Sequence, residues 1–307
     1  MLVLIWSAIM TSMVRRKRQV TPHALVADAC ENAHNILVDY ARDVADVSDA
    51  RVKNHLRMTV VRGAYMCMAL AHHADEDFIV DLPKDVALTG RFVEALAPIK
   101  DEHCEGEYMS DALAGATPSN DKRRRGAHMT PMSMVDKMVP TTIRPLLKVM
   151  RDHRSILKLR ICDPACGAGI CLIGVIRCLS KKLVAASGIG EICAKRLVAI
   201  HCCYGIDRDP VAVAAAKLAL RIECRAFDLP IDWLDDNIKI GDALVGLDND
   251  QIGAASWIRG DKPVTSIQKI LENAMKDGVE QRRRRIMALS AMAVSRSCAA
   301  GQSTDLR

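Results

Sequence analysis

Apolar residues recur at helical spacing from Thr21 to about Ile99, as in Ala24, Leu25, Ala27 and Ala29 and again in Val60, Val61, Ala64, Met68 and Leu70, which predicts a helical region. From Lys100 to Arg125 the pattern turns polar, with Gly106, Gly115, Pro118, Ser119 and Asn120. It closes on four consecutive cations, Lys122, Arg123, Arg124 and Arg125, and reads as a linker or a loop facing DNA phosphates. Beyond Gly126, helix and strand signals alternate. Met132 to Met150 predicts a helix interrupted near Pro140 and Pro145, and Ile156 to Cys162 a strand running into Asp163-Pro164 and a glycine turn. Helices are expected over Ile170 to Ala185, Glu191 to His201 and Pro210 to Arg225, with strands over Cys202 to Ile206 and Asn237 to Ile240. Strands separated by helical crossovers imply a parallel sheet and an α/β class. After Asp248 the strand signals fade, and Thr265 to Met292 reads as helix with Arg282 to Arg285 inside it.

Composition narrows this picture. A chain of 307 residues holds two ordinary domains or one large α/β domain with a helical appendage, so a disulfide-dependent miniature scaffold is excluded. Half of the residues are apolar and 26% charged, which excludes disorder by composition; aromatics reach only 3%, so the core must be aliphatic and sulfur-rich. Of the 12 cysteines, Cys162, Cys171, Cys178, Cys202 and Cys203 sit in apolar patterns and read as buried free thiols of a cytoplasmic protein. Cys162, Cys166 and Cys171 lack paired metal-ligand spacing, so no metal is expected. His72, His73 and His201 are expected to be structural.

Met1 to Val14 is almost wholly apolar but shorter than the roughly 20 residues a bilayer span needs. Its cations, Arg15 to Arg18, follow the apolar run, whereas a secretory signal carries them before it. An amphipathic start, frayed or covered by a partner, is the remaining expectation. The 43 Lys and Arg against 37 Asp and Glu give a net charge of +6, which suits a polyanionic partner without requiring one.

The candidate chemistry lies at the strand ends. Asp163-Pro164-Ala165-Cys166-Gly167-Ala168-Gly169 closes a strand and opens a helix, where glycines admit a close ligand and the helix start offers unpaired N–H groups. The turn lacks the third glycine of the dinucleotide fingerprint, and Asp207 lies 44 residues after Asp163 where about 20 are expected, so nicotinamide binding is disfavoured. Asp207 follows Tyr204-Gly205-Ile206 and is either a cap or turn residue or an acceptor for ribose hydroxyls. Asp242 ends the third strand and is likewise either a turn residue or an acceptor for an adenine amine; their joint placement on successive strand ends favours the ligand reading. Ligands of open α/β sheets sit outside such strand ends.

Four segments together resemble adenine-specific DNA methyltransferases of the restriction-modification type. Gly126-Ala127-His128-Met129-Thr130-Pro131 is similar to the family's cap motif, with Met129 where Tyr is usual. Asp163 to Leu172 is similar to its DPACGSGxFL motif, with Ala168 for Ser and Cys171 for Phe. Tyr204 to Val213 resembles the second motif and Lys239 to Gly246 the third. The resemblance implies S-adenosylmethionine as cofactor and a partial doubly wound, Rossmann-like methyltransferase core. Gly167 and Gly169 would flank the methionine part and Asp163 would lie near its amino group. Asp207 would hold the ribose, Asp242 the adenine amine, and His128, Thr130 and Pro131 would cover the methionine end, with Pro164, Ala165, Cys166, Arg208 and Ala243 also in the cofactor site. The implied division is a helical N-terminal region with a basic linker over 1–125, an incomplete cofactor-binding core over 126–247 and a helical tail over 248–307.

Methylation of adenine N6 further requires acceptors for the amine protons and an aromatic that stacks on the flipped base. The family supplies them as Asn or Asp followed by Pro-Pro and an aromatic, and no Pro-Pro dipeptide occurs in this chain. Asp248-Asn249-Asp250 follows the third strand too closely to replace that motif. Without a fourth strand, Ile156 to Cys162 would form an open sheet edge, so either a second polypeptide completes the sheet or the chain is an N-terminal fragment. The expectation is therefore the cofactor-binding part of an adenine-N6 DNA methyltransferase that acts on double-stranded DNA and is inactive alone. The alternatives are a non-catalytic scaffold or regulatory module binding S-adenosylmethionine or only DNA, and a methyltransferase for small molecules or protein.

Overall fold

The structure, a computed structural model, describes residues 21–72, 85–99, 105–125, 130–150, 152–244 and 278–294. The expectations for Met1 to Val14, His73 and Asp248-Asn249-Asp250 fall outside the described residues. Capping side chains set where the first helices begin. Thr21 Oγ1 accepts the Ala24 N–H at 3.3 Å and Pro22 fills the first turn of α1 (Pro22–Ala41). Asp49 accepts from Arg51 at 2.6 Å to open α2 (Ala50–Ala71), and Asp85 from Leu88 at 3.0 Å to open α3 (Val86–Leu96).

The polar stretch expected as a linker is helical instead, as α4 (Tyr108–Gly115) and α5 (Ser119–Arg125). Met109, Ala112, Leu113 and Ala116 recur at helical spacing inside it, are buried, and pack α4 against α1. Another departure is α6 (Met132–Val149), which runs unbroken through Pro140 and Pro145. The two missing N–H groups free the carbonyls of Asp136 and Thr141, and both residues are exposed, so water can satisfy them. The expected first strand is shortened as well. Asp152 caps α7 (His153–Leu157) by accepting from Ser155 at 2.6 Å, which leaves β1 only Ile161–Asp163.

The remaining elements follow the expected order: α8 (Ile170–Ser187), α9 (Glu191–Cys202), β2 (Cys203–Asp207), α10 (Pro210–Glu223) and β3 (Ile238–Ile240). The three strands are parallel and ordered β1-β2-β3, with Cys162 opposite Tyr204 and Gly205 opposite Ile238. Helices α8, α9 and α10 all pack on β2, and α10 also reaches β3. On its other side α10 meets α2 and α4, where Arg221 Nε donates to Tyr65 Oη at 3.1 Å. One continuous apolar cluster joins Val60 and Met68 of the helical region to Ile173, Ala216 and Ile238 of the sheet region.

The helix expected over Thr265 to Met292 is described over residues 278–294. It buries Leu289 and Ala293, pairs Arg285 with Asp232 at 2.7 Å, and places the Arg282 guanidinium 5.2 Å from the Tyr204 ring centroid. Among the described residues β1 pairs with β2 alone. Cys162 on that edge strand is exposed, contrary to expectation; Cys171 and Cys178 are half-buried, and Cys202 and Cys203 buried. His201 is held by Ser290 at 2.8 Å, and His72 stacks near Phe227 at 5.6 Å. No helix among the described residues is long and apolar enough to cross a membrane.

Two glycines predict opposite effects on stability. A Cβ on Gly115 would collide with the Ala27 carbonyl oxygen and lie 2.7 Å from Cys30 Cβ, so Gly115→Ala should destabilise by about 1–3 kcal/mol. Gly90 sits inside α3 with open space around it, and Gly90→Ala should stabilise by about 0.5–1 kcal/mol. Urea denaturation midpoints at fixed slope test both.

Candidate functional site

Strand β1 ends at Asp163, whose Oδ1 accepts the Ala165 N–H at 3.2 Å and so shapes the turn. The Cys166 N–H then donates to the Ile206 carbonyl at 3.0 Å, tying the turn to β2. Gly167 and Gly169 adopt φ of 52° and 81°, a left-handed conformation that side chains resist. Their surroundings differ. Gly169 abuts α10, where an added Cβ would lie 3.3 Å from Ala216 Cβ, whereas the space beside Gly167 is open. One glycine serves close packing and the other borders room for a ligand.

Asp207 joins the turn to the second strand end. Its Oδ2 accepts the Gly167 N–H at 2.8 Å and its Oδ1 the Asp209 N–H at 2.9 Å. A carboxylate offers about four lone-pair sites, so two amides fix its orientation and leave acceptor capacity. Its own carbonyl takes the Gly241 N–H at 3.0 Å, which draws the end of β3 alongside. Asp242 follows, with Oδ1 accepting from Leu244 at 2.9 Å and Oδ2 lying 3.4 Å from Arg208 Nη1. Arg208 is 76% exposed, and an ion pair of that kind contributes only about 0–1 kcal/mol, so a competing amine can displace it. Ala243 beside it is exposed.

The expected residues therefore converge in part. Asp163, Pro164, Ala165, Cys166, Gly167, Gly169, Asp207, Arg208, Asp242 and Ala243 share the carboxyl end of the sheet. Thr130 and Pro131 precede α6, whose Val135 and Val139 pack on Gly174 and whose Arg144 lies near Cys178. Thr130 is half-buried and Pro131 exposed there. His128 lies outside the described residues. Lys122 is half-buried and Arg123 exposed on the short helix α5, while the side chains of Arg124 and Arg125 lie outside the described residues.

Burial and then the charges of Asp207 and Asp163 push the Cys166 thiol up to about 12, so it is held neutral and is no nucleophile. Among the described residues no three His, Cys, Asp or Glu side chains converge as a metal site.

One contributor escaped the reading of motifs. Arg57 of α2 is buried and donates to both carboxylate oxygens of Asp209, at 3.1 and 2.6 Å. Its signal is a cation on the same helical stripe as Val60, Val61, Ala64 and Met68. No known protein family, curated protein or solved structure matches the chain.

His34 of α1 is buried, with Nδ1 unpartnered among the described residues. Burial and then the Arg57 charge lower its pKa from 6.5 to about 4. Between those values the unfolded chain binds a proton that the folded one refuses, so stability is present above 6.5 and is lost as pH falls toward 4. The loss should be roughly 3 kcal/mol, and His34→Leu should flatten that part of the curve in denaturation measured across the window.

Proposed function

We propose that the chain is the S-adenosylmethionine-binding part of an adenine-N6 DNA methyltransferase of a restriction-modification or phage-defence system, built on a partial Rossmann-like core. The observation that carries this reading is the Asp207 carboxylate, oriented by the Gly167 and Asp209 amides beside the open face of the glycine turn. In the proposal its remaining acceptor sites take the ribose hydroxyls, and Asp242 exchanges Arg208 for the adenine amine. The methionine part lies over Gly167, with Asp163 near its amino group and Thr130 and Pro131 covering it. Lys122 to Arg125 contribute sequence-independent phosphate contacts to double-stranded DNA.

The reaction needs a second component. The chain carries no Pro-Pro-aromatic acceptor motif, and among the described residues β1 has one strand neighbour, which supports a complementing polypeptide that pairs there and brings the acceptors and the target-recognition surface. The chain alone is in this reading a cofactor-loading scaffold.

Calorimetry tests the cofactor. S-adenosylmethionine should bind, and Asp207→Ala should weaken binding by about 1.5–3 kcal/mol, the scale of hydrogen bonds to a charged group. Absence of heat with the unaltered chain would remove the cofactor assignment.

Radiolabelled methyl transfer to mixed-sequence duplex tests the division of labour. Loss of a single preorganised transition-state acceptor costs about 10²- to 10³-fold, so the chain alone should incorporate no label above background. Addition of a polypeptide carrying Asn-Pro-Pro-Tyr or Asn-Pro-Pro-Phe should restore transfer. Robust incorporation by the chain alone would overturn the proposal that the catalytic acceptors lie elsewhere.

A further inference from the structure

We infer that Arg57, in the helical region, is a positioning residue for the strand-end site: it holds Asp209, and through the Asp209 amide it sets the orientation of Asp207. The inference concerns the site assigned above, although the link itself is independent of which ligand fills it. Arg57 is 2% exposed and uses all five of its guanidinium donors. Nε and Nη2 donate to Thr117 Oγ1 at 3.2 and 3.0 Å, Nη1 to Asn54 Oδ1 at 3.3 Å, and Nη1 and Nη2 to the two Asp209 oxygens. Thr117 spends its own proton on the Leu113 carbonyl at 2.7 Å, which leaves its lone pairs to face the guanidinium. The fork is therefore locked by α2 and by the segment between α4 and α5, and Asp209 is clamped from outside the sheet region.

Asp209 passes this constraint on. Its Oδ1 also caps α10 by accepting from Val211 at 3.0 Å, and its N–H is one of the two amides that orient Asp207. A shift of Asp209 thus moves the donor to Asp207 Oδ1, and Asp207 in turn holds the Gly167 amide. Stability alone does not call for such a pair, since buried ion pairs replaced by neutral side chains are often no less stable. A bidentate fork does fix geometry. A second ionic crossing, Arg177 with Glu107 at 2.8 Å and Glu223 at 2.7 Å, also binds the helical region to the core but ends on α8 and α10, away from Asp207. It provides the control.

The test compares amide hydrogen exchange in three folded proteins: the unaltered chain, the double variant Arg57→Met with Asp209→Asn, and the control Arg177→Met with Glu223→Gln. The Asp209→Asn change keeps the helix cap and the backbone N–H, and the paired substitution leaves neither ionic partner buried alone. The Gly167 amide is read against the Gly205 amide, which bonds the Asn237 carbonyl at 3.0 Å and reports the sheet. The positioning role is expected to raise Gly167 exchange about ten-fold relative to Gly205 in the first variant and to leave the ratio unchanged in the control. An unchanged ratio in the first variant would overturn it. If that variant does not fold, Arg57→Lys, which keeps the charge and loses the fork, is read in the same way with a several-fold rise expected.

Titration with S-adenosylmethionine adds a separate readout. Affinity should fall about ten-fold in the first variant at unchanged thermal midpoint, and unchanged affinity in that variant would count against positioning. If the unaltered chain binds none, the cofactor assignment fails while the exchange ratio still decides the role of Arg57.

Discussion

Parallel pairing of three short strands is the constraint on which the rest depends. Each strand must be followed by a crossover that carries the chain back to the end where strands begin, so every strand finishes at the opposite, carboxyl end of the sheet. That end receives Asp163 and Asp207 as last strand residues and Asp242 just after β3, whatever their side chains do later. The bonds from Cys166 to Ile206 and from Gly241 to Asp207 extend the pairing past the strands and bring the connecting turns into register. A glycine turn with left-handed residues is what lets the chain leave β1 and enter α8 in this space.

The helical region is part of the same interior rather than an appendage. Helix α10 is apolar on more than one side because it packs on the sheet and on α2 and α4 at once. Buried cations cross this junction: Arg57 reaches Asp209, and Arg221 reaches Tyr65 and the carbonyls of Phe227 and Leu229. Such groups demand complete hydrogen bonding, which restricts how the two regions can be set against each other.

The sheet region is legible in the sequence because its signals are local. Pro210 after Asp209, the apolar run of Ile170 to Leu183 and the turn at Gly167 and Gly169 each announce an element within a few residues. The errors arise where local rules are overridden. The prolines of α6 are tolerated because the residues whose carbonyls they release are exposed to water, and α4 lies hidden in a polar stretch because its buried face, Met109, Ser110, Ala112, Leu113 and Gly115, holds small residues and a flexible one. The first strand is overextended because a capped turn at Asp152 consumes its beginning. Arg57 is illegible as a partner of Asp209, since 152 residues separate the two and no spacing rule spans that distance.

That separation also bears on how the protein is made. During synthesis α1 to α4 emerge well before α10, so α2 lacks its cover from α10, and the Arg57 guanidinium its carboxylate partner, until Asp209 and the rest of α10 leave the ribosome. At about 5–20 residues per second the wait is on the order of ten to thirty seconds. Water or a chaperone must hold that cation and its apolar neighbours meanwhile, and the first region acquires its final packing only when the second arrives to close it.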